Sequence, residues 1–243
     1  MLYIAMGLVL GATLAEVMRN ASGPVPTPVA LEIVAQAAEG LQAAHTACAP
    51  DGTHLAMVHR DVSPQNLLIG LDGMVRVSDF GVARAAQRAT RTKTGQFKGK
   101  LAYCSPEQAM GLPLDHRSDV FALGVVAWEL LAGARLFGGK PTPYETLDGI
   151  LHRAIPRFAE VRPDLAPRAA AMLDRALERE PAKRPGSAGE LAEALRESTV
   201  KLALDSPPDL REAVRAAASP LALRLAGLDA GEPARAARER ARR

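Results

Sequence analysis

The 243-residue chain carries 30 Lys and Arg against 27 Asp and Glu, a formal net charge of +3, and two cysteines, Cys48 and Cys104. A charge this small gives no electrostatic ground for nucleic-acid binding, and two cysteines exclude a disulfide framework and point to a reducing, cytoplasmic setting. Apolar residues make up 48% but aromatics only 4%, so one large or two small domains must be packed mainly with Leu, Ala and Val.

From Met1 to Ala15 the chain is apolar and uncharged. It has no basic leader and no small-residue cleavage site, and it is too short to cross a bilayer, so it reads as a buried strand over Leu2–Leu10 broken at Gly11. Thr27-Pro28 reads as a helix start, Thr as N-cap and Pro at the first helical position. Ile33, Ala37, Leu41 and Ala44 then make an apolar stripe at helical spacing. A polar loop follows over Ala49–Thr53.

Leu67–Ile69 and Met74–Val77 read as short strands joined through Asp72-Gly73, a hairpin signal. Ala85–Leu101, rich in Thr, Lys, Arg and Gly, has no periodicity and is expected to be a mobile loop. Asp119–Leu131 is apolar nearly all round, which predicts a helix in the middle of a domain. Three weaker helices are predicted over Pro143–Ala154, Arg168–Leu177 and Ala188–Arg196, the last with a capping box from Ser187 to Glu190. From Ser198 the composition shifts to Ala and Arg, and the end of this tail reads as solvated. Its basic run lacks interleaved aromatics and contains Glu232 and Glu239, against a nucleic-acid contact. No other run is long enough for a membrane helix.

The chemistry concentrates in His59-Arg60-Asp61, then Asn66, then Asp79-Phe80-Gly81. Singly, Asp61 reads as a cap or surface carboxylate and Asp79 as a turn residue. The joint spacing resembles the catalytic loop and metal-binding triplet of protein kinases, and the chain is identified as a bacterial eukaryotic-like serine/threonine protein kinase by that resemblance. The resemblance covers Leu2 to Glu197. It implies a mainly α (α+β) fold like the large C-terminal lobe of a kinase, with a small β-hairpin at the active site and the N-terminal lobe absent. Residues 1–197 would be a partial kinase domain and 198–243 an Ala/Arg-rich tail.

What the resemblance implies for the site can be stated residue by residue. Asp61 is the catalytic base, Asn66 and Asp79 bind Mg²⁺, and ATP is the phosphoryl donor to protein Ser or Thr hydroxyls. The catalytic loop lacks the Ala-Ala-Arg or Arg-Ala-Ala pattern of tyrosine kinases. Met6 would be the gatekeeper, the Gly7 carbonyl and Val9 amide would face adenine, and Leu68 would be the floor. Arg60 would pair with a phosphorylated activation loop, with Thr92 and Thr94 as candidate phosphosites and Thr90 a weaker one, phosphorylated in trans through self-association. His59 and Phe80 belong to the structural part of the motif. Glu107, in Ser105-Pro106-Glu107, would pair with Arg184, and Asp119 would hold the catalytic-loop backbone, or cap the central helix, or both.

Two departures stand out. Where the family has Lys two residues after the catalytic Asp, this chain has Ser63; where it has Gly-Thr before the Tyr-x-Ala/Ser-Pro-Glu stretch, this chain has Gly99-Lys100, followed by Tyr103. The lysine and hydroxyl are exchanged, so Lys100 is expected to supply the γ-phosphate cation with Ser63 as its neighbour. The second departure is larger. A Gly-rich phosphate loop, a strand lysine and its helix-borne glutamate partner do not occur in the sequence. Met1 is therefore read as a misassigned start or a truncation, leaving Leu2–Val9 as exposed apolar chain. The alternative to a kinase is a catalytically inactive kinase-like module for binding or regulation.

Overall fold

A computed structural model describes residues 7–20, 25–80, 100–138, 142–203 and 211. The described residues form one small antiparallel sheet on a body of helices. Strand β1 (Gly11–Thr13) leads directly into α1 (Leu14–Asn20), and α2 (Thr27–His45) follows. Strands β2 (Leu67–Gly70) and β3 (Val75–Val77) make the hairpin. After a 3-10 turn at Leu101–Tyr103 come α3 (Pro106–Ala109), α4 (Arg117–Ala132), α5 (Pro143–His152), α6 (Phe158–Val161), α7 (Pro167–Ala176), a second 3-10 turn at Pro181–Lys183, and α8 (Ala188–Ala203).

The sheet order is β1-β2-β3, with Gly11 opposite Gly70 and Leu67 opposite Val77. The hairpin forms where Asp72-Gly73 predicts it: Gly73 takes φ 81°, and the Asp72 carboxylate accepts the Met74 amide at 3.0 Å. The first strand lies elsewhere than the apolar run predicts. Residues 7–10 are not a strand, and Gly11, read as the breaker, opens β1. A Cβ at Gly11 would sit 2.0 Å from the Ile69 carbonyl oxygen, so only glycine lets β1 approach β2 there. Leu8 is 81% exposed, and residues 1–6 lie outside the described set.

Thr27 is not the N-cap of α2. Pro26 holds that position, and the Thr27 hydroxyl donates to Asp164 Oδ2 at 2.6 Å, tying the helix start to the loop after α6. Ser187 does accept the Glu190 amide at 3.1 Å, but the Glu190 carboxylate turns back to Gly186 N (3.0 Å) rather than to Ser187.

The core runs along α2 and α4. In α2, Ala30, Ala35, Ala37 and Ala38 alternate with Leu31, Ile33, Val34 and Leu41, all buried; the small residues let α4 and α8 approach closely. α4 is buried on every side from Ser118 to Leu131, the burial its unbroken apolar sequence predicts. It stops at Gly133, whose φ of 65° supplies the left-handed C-cap. Both ends of α4 carry carboxylates that its burial would make costly without partners, Asp119 and Glu129. No described helix is long and apolar enough to cross a membrane.

Candidate active site

The site lies on the segment between α2 and β2, held from beneath by the first turn of α4. Asp119 Oδ1 accepts the Arg60 amide at 2.8 Å, and Oδ2 accepts the His59 amide at 2.8 Å. Asp119 is the third residue of α4, not its cap; His116 occupies the cap, and its side chain bonds the Gly186 carbonyl rather than capping the helix. The carboxylate sits where the helix presents its positive end. Beneath it His45, near the end of α2, donates from Nε2 to Asp119 Oδ2 at 2.8 Å, and its buried Nδ1 has no partner. These bonds hold Arg60 at φ 67°, a left-handed geometry unfavourable for a side chain of this kind.

His59 turns the loop toward the hairpin. Its Nε2 faces the Ser78 carbonyl at 2.7 Å and its Nδ1 faces the Asp61 amide at 3.2 Å. A carbonyl can only accept and an amide only donate, so the proton belongs on Nε2 and the ring is neutral. The Phe80 ring meets His59 edge-on, centroids 4.6 Å apart. Asp79, between Ser78 and Phe80, adopts φ 62° and is exposed. Two non-glycine residues in the left-handed region, Arg60 and Asp79, thus bracket in sequence the cluster formed by Asp61, Asn66 and Lys100.

Within that cluster, Asn66 is buried and donates from Nδ2 to the Asp61 carbonyl (2.7 Å) and to Asp61 Oδ2 (2.9 Å). The donor side of its amide is consumed, leaving Oδ1 as an oxygen ligand. Lys100 Nζ reaches Asp61 Oδ2 at 2.5 Å and Asn66 Oδ1 at 3.4 Å. Ser63 is fully buried, and its Oγ makes no hydrogen bond to Lys100 or to any other described residue. The expected lysine–serine neighbourhood is therefore replaced by a lysine–aspartate–asparagine one. Asn66 Oδ1 and the Asp79 carboxylate are hard oxygen donors, two in number, which suits a Mg²⁺ that takes its remaining ligands from phosphates and water. Among the described residues no cluster of three His, Cys, Asp or Glu side chains could hold a metal unaided.

The segment after Lys100 forms a platform beside the loop. Ser105 and Gln108 make a reciprocal capping box that starts α3, and Gln108 Nε2 also donates to the Arg60 carbonyl at 2.9 Å. Glu107 receives both ends of the Arg184 guanidinium, at 2.6 and 2.7 Å, and the Ser118 hydroxyl at 2.7 Å. Burial pushes the Glu107 carboxyl up, but the Arg184 and Ser118 bonds outweigh it and hold it below the usual range. Burial, with the Glu107 charge adding, pushes the neighbouring Cys104 thiol up to about 12, so it stays a neutral filler.

Of the residues expected to meet adenine, Leu68 is half-buried in β2, and Gly7 and Val9 precede β1 outside any helix or strand. Met6, Thr90, Thr92 and Thr94, and most of the expected mobile loop, fall outside the described residues. The sequence reading missed His45, Gln108 and Glu129. Only Gln108 had a local signal, the Ser-x-x-Gln capping pattern at 105–108.

A family model described as the protein kinase domain matches residues 1–198. The tyrosine-protein kinase MasK of Myxococcus xanthus is 39% identical over 79% of this chain and 30% of its own length. The serine/threonine-protein kinase PknA of Mycobacterium tuberculosis is 35% identical over 98% of this chain and 53% of its own. The chain thus spans between about a quarter and a half of the curated relatives it matches. Among solved structures, the PknI kinase domain of M. tuberculosis superposes with a TM-score of 0.58 at 29% identity, covering 80% of this chain and 65% of that one.

Proposed function

The chain belongs to the protein kinase family, with bacterial serine/threonine kinases among its relatives, and on that premise we propose that its site transfers the ATP γ-phosphate to Ser or Thr hydroxyls of proteins. One observation carries the reading: Asp61, Asn66 and Lys100 converge on a single point, with the Asp61 carboxylate bonded by both others. Asp61 receives and orients the acceptor hydroxyl. As that oxygen bonds to the γ-phosphorus, the bond to the β-phosphate oxygen breaks, the hydroxyl proton passes to Asp61 and ADP leaves. Lys100 places positive charge beside the negatively charged oxygens of the group in transfer, the electrostatic stabilisation that usually dominates such catalysis. Asn66 and Asp79 would hold Mg²⁺, whose chemistry is to neutralise the phosphates. Arg60 is read as the receiver of a phosphorylated Thr92 or Thr94, Gly7, Val9 and Leu68 as adenine contacts, residues 1–197 as the partial kinase domain and 198–243 as its tail, in a cytoplasmic setting.

A second reading, a kinase-like binding module without phosphotransfer, is favoured by the sequence itself: no Gly-x-Gly-x-x-Gly occurs in these 243 residues. The two readings separate by calorimetric titration with Mg-ATP, followed by γ-phosphate transfer to a generic acceptor protein. Binding with transfer that Asp61→Asn abolishes supports the kinase. No detectable Mg-ATP binding rules out phosphotransfer by this chain and leaves the module.

A further inference from the structure

We propose that the cavity between the α5–α6 link and the C-terminal end of α7 binds a phosphomonoester dianion through Arg157, Arg175 and Arg179. None of its residues belongs to the candidate active site.

The cavity has a volume of about 580 Å³. Arg157 stands at the N-cap of α6, Arg175 lies in the last turn of α7, and Arg179 follows just beyond that helix; all three line the cavity. Elsewhere, described arginines are spent on carboxylates: Arg162 on Asp164, Arg168 on Glu197, Arg196 on Glu32 and Glu39. These three are not. Among the described residues, the Arg157 side chain has no hydrogen-bond or ion-pair partner. Arg175 reaches only the carbonyls of Lys183 and Arg184, at 3.4 Å each, beyond the ordinary length of such a bond. Arg179 donates from Nε to the Ile150 carbonyl at 2.9 Å and from Nη2 to the Arg153 carbonyl, covering the end of α5. Its charge meets no carboxylate at bonding distance. Burial pulls the Arg179 guanidinium below its ordinary value, with only the nearby Glu178 charge working the other way.

Two carboxylates share the lining, Asp174 and Glu178. Three guanidiniums against two carboxylates leave the cavity positive, and Asp174 Oδ1 is already engaged by the Phe158 amide at 2.9 Å. A guanidinium is a rigid fork of N–H donors that meets a phosphate group through two parallel bonds, so unengaged arginines converging on one hollow select a tetrahedral oxyanion. Ile155 and Leu177 add apolar wall beside them, which suits the carbon side of a phosphate ester.

The walls are fixed in advance. Trp128 Nε1 donates to the Pro156 carbonyl at 3.2 Å, next to Arg157. Asp174 ties the end of α7 to the first amide of α6. Arg184 donates to the carbonyls of Glu178 (2.7 Å) and Arg179 (3.0 Å). A hollow with ordered walls spends little of its binding energy on arranging itself around a ligand.

The test titrates the 243-residue chain with O-phosphoserine, without nucleotide or Mg²⁺ and at fixed ionic strength. Trp128 is the sole tryptophan, and its bond to Pro156 makes its fluorescence a reporter beside the cavity; calorimetry runs in parallel. A saturable response is expected, and none with unphosphorylated serine. Arg157→Gln and Arg175→Gln, both at exposed positions, should each weaken binding about tenfold, the loss of one charge-assisted bond. Lys100→Ala should leave it unchanged. A short phosphoserine peptide serves as a second probe: tighter binding than O-phosphoserine assigns the ester to a protein side chain, equal binding to a free small molecule, and either bears the proposal out. No saturable response by fluorescence or calorimetry overturns it. So does undiminished binding in both arginine variants, or a loss confined to Lys100→Ala, which would put the phosphate in the active site instead.

Discussion

Replacing Arg184 by Met is the sharpest test of how the platform is held. Arg184 is 2% exposed, and its guanidinium makes five bonds: two to Glu107, and one each to the carbonyls of Glu178 (2.7 Å), Arg117 (3.0 Å) and Arg179 (3.0 Å). It also lies over the Phe121 ring at 4.9 Å. Met fills much of the volume but leaves Glu107 a buried carboxylate with the Ser118 hydroxyl as its remaining side-chain partner, and strips three carbonyls of a donor. Leaving one side of a buried pair uncompensated costs about 3–5 kcal/mol. Against a total of about 5–15 kcal/mol for an ordinary domain, the variant should lose about a fifth or more of its stability. Urea unfolding followed by far-ultraviolet circular dichroism measures this directly. The companion Glu107→Leu/Arg184→Met variant should be less destabilised than Arg184→Met alone, because it removes the orphaned charge. A loss below about 1 kcal/mol in the single variant, or a double variant worse than the single, would refute the account of this pair as a desolvated clamp.

Three further outcomes are expected. Lys100→Ala should weaken Mg-ATP binding about tenfold, the loss of a charge-assisted contact, while Lys98→Ala leaves it unchanged; equal affinities in a calorimetric titration would remove Lys100 from the site. Gly11→Ala should cost about 1–3 kcal/mol through the clash with the Ile69 carbonyl, whereas at Gly70 the new methyl would meet the movable side-chain ends of Asp72 and Arg76; thermal melts of the two variants should rank in that order. The Arg162 guanidinium beside Asp164 holds its carboxyl down at about 2. Its folded value lies below the unfolded one, so its contribution is present above pH ~4 and disappears between about pH 4 and 2. Asp164→Asn should flatten the fall in Tm across that window, and an unchanged slope would contradict it.

The parts of this molecule that were readable in advance are those written in contiguous residues. Asp72-Gly73 gives a turn because the glycine accepts positive φ and the aspartate caps it. The helix around Trp128 announces its burial by having no polar face. The spacing of Asp61, Asn66 and Asp79 is a local pattern, and the fold brings Asp61 and Asn66 into direct contact. What escaped was set by distant partners. Gly11 looks like a strand breaker until Ile69 lies against it. Thr27 has every attribute of an N-cap, but Asp164, 137 residues away, claims its hydroxyl. His45 and Glu129 have no local mark because their partners lie 74 and 26 residues off. The exchange of lysine and serine carried no sign of the burial of Ser63, since burial at that point depends on the packing of the whole loop.

The closure of α8 on α2 has a consequence for how the chain is made. Gly189 donates to Gln42 at 2.9 Å, and Arg196 bonds Glu39 at 2.8 Å as well as Glu32, across sequence separations of 147 to 164 residues. At roughly 5–20 residues per second, the ribosome needs about 8–30 s after completing α2 to deliver the helix that covers it. Throughout that interval Leu31, Val34 and Leu41 have only part of their final surroundings. The interval is long compared with helix formation or chain collapse, so the nascent chain meets chaperones and neighbouring polypeptides with this surface unfinished.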